Sequence, residues 1–187
     1  MIIALVTVRL REAHRQALLS HFICLDGEDR RLRFGSSISD EGLREYAARI
    51  DFGRDGLFAV RDDKGRLLAV MHVAFGEKSA ELGLSVLRDW RGNGMGSALF
   101  RRAVTHLRNR GVREVFVHCL TENSAMMHIA RKYRMRIIPA GMETDARLVL
   151  DPPNARSRLS EWLHDNHPAK LKAARELVSL LAPQFSR

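Results

Sequence analysis

Residues 80–99 read A-E-L-G-L-S-V-L-R-D-W-R-G-N-G-M-G-S-A-L, an apolar run that passes through a glycine-rich turn into an amphipathic stretch. Gly92, Gly94 and Gly96 stand at alternate positions just where a helix would open. Glycines there leave backbone N–H groups uncovered by side chains. With the positive end of the helix dipole, such groups favour a phosphate or diphosphate. Arg91 places a cation at the entrance to the turn. Two familiar phosphate loops do not fit. A P-loop needs a lysine after its last glycine, and none is present. The dinucleotide fingerprint G-x-G-x-x-G fails because the sixth place is Ser97 counted from Gly92 and Leu99 counted from Gly94.

Downstream, Leu99, Phe100, Ala103, Val104 and Leu107 recur at helical spacing over residues 95–110, and Gly111 is a natural stop. Val115, Val117 and Cys119 then alternate as a strand, N-S-A-M-M-H-I-A-R-K-Y opens another helix, and short strands are expected at 135–139 and 146–150. Upstream, G-L-F-A-V-R and R-L-L-A-V-M-H-V-A-F flank the turn D-D-K-G, a hairpin signature. Residues 2–9 read as a strand and 11–24 as a helix. The segment D-R-R-L-R-F-G reads as a short basic connector, and Ser39 as the N-cap of a further helix. The order β-α-α-β-β-β-α-β-α-β-β is mixed α/β with antiparallel hairpins and one parallel crossover. Beyond Pro153, Leu159, Trp162 and Leu163 form one apolar stripe, and Leu171, Ala174, Leu177, Val178 and Leu181 a second. These are expected to pack on their own domain, with homodimerisation as the alternative use. The division expected is therefore a domain over 1–151 and a C-terminal helical extension over 152–187.

At 187 residues the chain can bury one proper core. Thirty-one Lys and Arg against twenty-two Asp and Glu leave a net charge of +9, which attracts anions of many kinds. The arginines are scattered without interleaved aromatics, so nucleic acid is not expected as the main partner. No apolar run approaches the roughly 18 residues of a membrane span, and the opening residues read as a strand rather than a signal peptide. Cys24 and Cys119 give neither a disulfide framework nor metal spacing, so a cytosolic, metal-free protein is expected.

The pattern R-x-x-G-x-G from Arg91 to Gly96, after a strand ending in V-L-R-D-W, resembles the GNAT superfamily of N-acetyltransferases. A second element supports the likeness: Asn123 followed by M-M-H-I-A-R-K-Y-R-M is similar to the family's N-x-x-M/A helix. The resemblance covers roughly residues 3–150. It implies a GNAT fold, with a mostly antiparallel sheet, a central parallel crossover and helices on both faces. It further implies acetyl-CoA as co-substrate and a primary amine as acceptor. Carried over residue by residue, Arg91, Gly92, Asn93, Gly94, Met95, Gly96 and Ser97 would hold the diphosphate. Leu84, Ser85 and Val86 would offer backbone contacts to the pantetheine arm, with Asn123 and Met126 beside it. Asn123 reads equally well as a helix cap. The likeness of L-R-F-G-S-S-I-S and A-A-R-I-D-F to bacterial protein-lysine acetyltransferases leans the acceptor toward a protein, with a small amine as the alternative.

Amine acetylation needs a neutral amine, and a lysine-like ammonium with pKa of roughly 10.4 must lose its proton first. Glu81, a charge in an apolar strand, is the candidate base; its plainer reading is a carboxylate facing water. The developing oxyanion would meet a backbone N–H, that of Val86. Many relatives place a tyrosine acid where this chain has Ala130; Tyr133, one turn on, is the substitute candidate, although by alignment with the family it occupies a core position. Arg134 replaces the glycine that closes this helix in relatives, so a different helix end is expected. Cys119 reads as an inert core thiol, His72 and His118 as packed strand residues, and His128 as a neighbour of the pantetheine. Two rival functions remain open: a module that binds acetyl-CoA without turnover, and a basic nucleic-acid-associated protein.

Overall fold

A computed structural model describes residues 5–166. Its frame is one seven-stranded sheet in the order β1-β2-β3-β4-β5-β7-β6. The strands are β1 (Thr7–Arg9), β2 (Gly56–Arg61), β3 (Leu67–Phe75), β4 (Ser79–Val86), β5 (Glu114–Leu120), β6 (Arg136–Ala140) and β7 (Glu143–Val149). Every neighbouring pair is antiparallel except β4 and β5. The expected hairpin is present, with Gly65 at φ +83° in its turn, a backbone that glycine alone adopts at no steric cost.

The helices are α1 (Arg15–Ile23), α2 (Gly27–Phe34), α3 (Asp40–Arg49), α4 (Met95–Asn109), α5 (Ser124–Lys132) and α6 (Ala155–Asn166). Alternation along the central strands sends Leu57, Ala59, Leu67 and Val70 to one face, where they meet Leu18 and Phe22 of α1 and Leu43 of α3. Phe58, Met71, Val73 and Leu82 point the other way, against Leu99, Phe100 and Leu107 of α4 and Met126 and Ile129 of α5. Helices therefore cover both faces of the sheet.

Three local readings need correction. The segment read as a basic connector is helix α2. Asp26 caps it by accepting from the Asp29 N–H (2.8 Å), and Gly35 closes it at φ +79°. Helix α5 ends as though a glycine stood at position 134. Arg134 adopts φ +53°, and the Met135 N–H reaches back to the Ala130 carbonyl at 2.9 Å. Bonding of the last carbonyls thus outweighs a steric cost of roughly 1 kcal/mol for a side chain in that conformation. Helix α6 also presents a different edge from the one its apolar stripe suggested. Leu159 and Trp162 are 58% and 52% exposed, and the contact with α4 is polar. The second apolar stripe, at 171–181, lies outside the described residues, as do residues 1–4.

That polar seam is built on Glu161. Its carboxylate accepts from Asn109 Nδ2 (2.6 Å) and Arg110 Nη1 (3.2 Å) and lies 2.6 Å from His106 Nδ1, while Asp165 pairs with the buried Arg102. Burial alone would raise the Glu161 carboxyl, but the bonds from His106 and Asn109 and the nearby charges of His106 and Arg102 hold it down at about 2. Glu161→Ala leaves Arg102 and Asn109 short of partners in a largely dry seam. It is expected to cost about 2 to 3 kcal/mol in denaturant unfolding, against no loss if α6 merely rests on the domain. Among the described residues no helix is long and apolar enough to cross a membrane.

Candidate active site

Strands β4 and β5 pair over only three rungs, Ser79 with Glu114, Ala80 with Val115 and Glu81 with Phe116. Beyond Glu81 they part, although β4 runs on to Val86 and β5 to Leu120. The Leu87 N–H donates to the Leu68 carbonyl at 2.9 Å. Because backbone groups alternate in direction along a strand, those of Leu84 and Val86 face the gap, whereas Ser85 bonds toward β3. The amides of Leu84 and Val86 and the Leu84 carbonyl are thus offered to an extended, amide-bearing arm, while the Val86 carbonyl accepts from Arg91.

The gap opens into a cavity of about 540 Å3 that ends at the glycine turn. Gly92 and Gly94 have φ of +76° and +75°, and Gly94 begins α4 with no side chain capping it. Helices α2, α3, α5 and α6 are capped by Asp26, Ser39, Asn123 and Asn154 respectively. The first-turn amides of α4, those of Met95, Gly96 and Ser97, are left facing the cavity. At Gly96 a Cβ would lie 3.1 Å from both Ile129 and Leu84, so glycine there lets the helix start sit between β4 and α5.

Eleven of the twelve residues assigned to the co-substrate from sequence line this cavity: Leu84, Ser85, Val86, Arg91, Gly92, Gly94, Met95, Gly96, Ser97, Asn123 and Met126. Asn93 does not; its amide braces the turn through the carbonyls of Trp90 and Arg91. Arg91 is less a free cation than a tether. It pairs with Asp29 of α2, whose side chain is only 4% exposed, and donates to the Val86 carbonyl. A cation that reaches the turn is Lys132, whose Nζ is 3.1 Å from Ser97 Oγ. Asn123 caps α5 through Met126 N–H (3.0 Å) and donates to the Leu32 carbonyl of α2 (3.1 Å). Sequence reading missed Lys132 and the wall made by Leu25 and by Asp29, Leu32 and Arg33 of α2. The Asp26 cap and Gly35 were the signals that could have revealed it.

Glu81 lies exposed on β4 at the last paired rung, where the strands separate, and it is not among the residues that line the cavity. Tyr133 stands elsewhere: its hydroxyl donates to the Ser97 carbonyl (2.8 Å), its ring packs on Phe100, and burial pushes the phenol up. It therefore fastens α5 to α4, and it is absent from the cavity wall. Ala130 is fully buried, and Cys119 is a buried thiol pushed up by burial. His128 does line the cavity. His72 is packed as expected, but His118 is not: it is exposed between Asp145 (2.8 Å) and Glu143 (3.2 Å).

His21 of α1 underlies the gap. Its Nδ1–H donates to the Leu67 carbonyl (2.9 Å), so its Nε2 accepts from Ser85 Oγ (2.8 Å). Burial, aided by the charges of Arg33 and Arg66 and opposed by the Leu67 bond, brings its pKa down to about 4. The folded protein keeps this ring neutral while the unfolded chain protonates it below about 6.5. Stability is thus expected to fall by about 3 kcal/mol between pH 6.5 and 4 from this group alone. His72 and His106, both lowered by burial, act in the same direction. Denaturant midpoints that hold steady down to pH 4 would contradict this.

The sequence matches the model of the acetyltransferase (GNAT) family over residues 26–134, more than half of the chain. The chain belongs to the GNAT family. This is a family of acyltransferases that use acetyl-CoA, and the matched span runs from the Asp26 cap of α2 through the glycine turn to Arg134. No curated protein is significantly similar to it. The GNAT domain of S. lividans PAT superposes with a TM-score of 0.66 at 18% identity, covering 77% of this chain and 89% of that one. An N-acetyltransferase from Staphylococcus aureus Mu50 gives 0.61 at 12%, covering 78% and 98%. The ribosomal-protein-S18-alanine N-acetyltransferase from Escherichia coli gives 0.59 at 15%, covering 80% and 96%. At these identities the likeness establishes a shared fold.

Proposed function

We propose that this GNAT protein transfers acetyl from acetyl-CoA to a primary amine by direct attack within a ternary complex. The observation that carries the reading is the continuity of one cavity from the open amides of α4 to the parted strands at Leu84–Val86, with Glu81 outside its lining, three residues before Leu84 on β4. The residues present suit the co-substrate. Uncapped amides of Met95, Gly96 and Ser97, with Lys132, match a diphosphate, and the gap-facing groups of Leu84 and Val86 match the amides of a pantetheine arm. Acetyl-CoA would supply the activated acyl group, a thioester with a stable leaving thiolate.

The chain's own residues do the rest. Backbone groups of Leu84 and Val86 fix the arm, with Met126 and Asn123 opposite, and the Val86 N–H is aimed to stabilise the developing oxyanion. Glu81, beside the point where the strands part, takes the proton of the attacking amine directly or through water. No side-chain acid is assigned to the departing sulfur, because Ala130 has no donor and Tyr133 is committed to Ser97.

Calorimetric titration with acetyl-CoA, followed by thiol release in a screen of amine acceptors, tests this reading. Saturable binding with acceptor-dependent release is the expected result. Binding with no release under any amine would support a module without turnover, and the absence of binding would remove the reading altogether.

A further inference from the structure

Around the cavity, the arginines of α2 and of the glycine turn are paired with carboxylates, with one exception. Arg30 pairs with Asp40 (2.7 Å), Arg31 with Glu28 (2.8 Å) and Glu122 (2.5 Å), Arg88 with Asp26 (2.6 Å), and Arg91 with Asp29. Arg33, which lines the cavity, has no carboxylate within ion-pair distance among the described residues. Its Nη2 donates to Tyr46 Oη (3.1 Å), its Nε is buried without a partner, and its Nη1 has no acceptor in the described protein. A guanidinium with one buried, unpaired donor and an Nη1 left open is well placed to receive an anion.

The guanidinium is also held in place. It stacks on Phe34 (4.7 Å), and the Tyr46 hydroxyl that receives its bond donates in turn to His72 Nδ1 (2.7 Å). His72 Nε2–H reaches Asp55 (3.0 Å), and burial lowers the imidazole's pKa against the opposing pull of Asp55. This chain of groups sets the guanidinium directly over Gly83 of β4, where any Cβ would overlap it. Gly83 is two residues from Glu81 on the same face, roughly 7 Å along the strand, and about 10 Å from Val86. The glycine turn lies farther still and has Lys132 for its diphosphate. Arg33 therefore serves the reacting end of the cavity.

Resting on the acetyltransferase reading above, we propose that Arg33 binds a carboxylate carried by the substrate, close to the reacting amine. Glu81 and Arg33 together present a negative and a positive charge on one face, spaced to receive the amine and carboxylate of an amino-acid-like acceptor. A lysine side chain of a protein offers only the first of these. A carboxylate on the acyl group of the donor would use the same guanidinium.

The test measures thiol release by the full chain from acetyl-CoA with the free L-amino acids, their α-amides and a lysine-bearing peptide. The same assay is run with succinyl-CoA, and the variants are Arg33→Gln and Arg33→Lys. The expected result is at least one amino acid preferred over its amide by about 30-fold in kcat/KM, as suits a charged hydrogen bond. That preference should collapse in Arg33→Gln, mainly through KM, and partly return in Arg33→Lys. An equivalent preference for succinyl-CoA over acetyl-CoA, lost in Arg33→Gln, places the carboxylate on the donor and also supports the assignment. Equal use of free acids, amides and peptide with both donors, unchanged in folded Arg33→Gln, overturns it. A parallel titration separates the two readings: wild-type protein that binds CoA without such discrimination sinks this inference alone, whereas failure to bind CoA sinks both. Melting temperatures establish that the variants fold, and Arg33→Lys, which keeps the charge and stem, carries the test if the glutamine variant does not.

Discussion

Gly94→Val is expected to weaken acetyl-CoA binding at least 100-fold, to the point of loss in calorimetry. The reason is conformational rather than steric. Gly94 starts α4 at φ +75°, and a Cβ there meets nothing nearer than Leu5 at 3.9 Å. A β-branched residue in that conformation is a genuine outlier, so the turn must rearrange even though the surroundings have room. Rearrangement moves the three first-turn amides that the account assigns to the diphosphate. Losing two or three charge-assisted hydrogen bonds of this kind readily removes 100-fold in affinity. Gly94→Ala should fall between wild type and valine, because its strain is smaller. Wild-type affinity in folded Gly94→Val would detach the turn from the co-substrate.

Glu81→Gln is expected to lower kcat by about 100- to 1,000-fold while leaving acetyl-CoA affinity nearly unchanged, the range associated with loss of a positioned base. Glutamine keeps the shape and exposure of the side chain, so packing on β4 is undisturbed. The defect should narrow as pH rises, because more of the amine is then already neutral and the base has less to contribute. A constant defect across pH would assign Glu81 to holding the acceptor instead. A variant as active as wild type would return it to the solvent-facing carboxylate that its strand position also allows.

How far the sequence carried depended on whether local chemistry matched local structure. The β2–β3 hairpin, α4 and the glycine turn were readable because turn residues, period and glycine placement agreed. The wall made by α2 was not. Five of the eight residues in G-E-D-R-R-L-R-F are charged, and its two large apolar residues are too few to show a helical period. That obscured Asp29 and Arg33, so Arg91 was read as a free cation when a buried carboxylate holds it. Tyr133 and Asn93 were assigned to the site through the family resemblance, which does not reveal that one hydroxyl and one amide are spent on backbone carbonyls. The left-handed Arg134 marks the opposite case, where bonds to the last carbonyls of α5 hold a residue in a conformation it disfavours.

The most direct measurement is a crystal structure of the chain grown with acetyl-CoA. Diphosphate oxygens should lie within about 3 Å of the amides of Met95, Gly96 and Ser97, with the arm running between Val86 and Asn123 toward Glu81. A vacant glycine turn, with the thioester carrier bound on another surface, would contradict the account at its foundation.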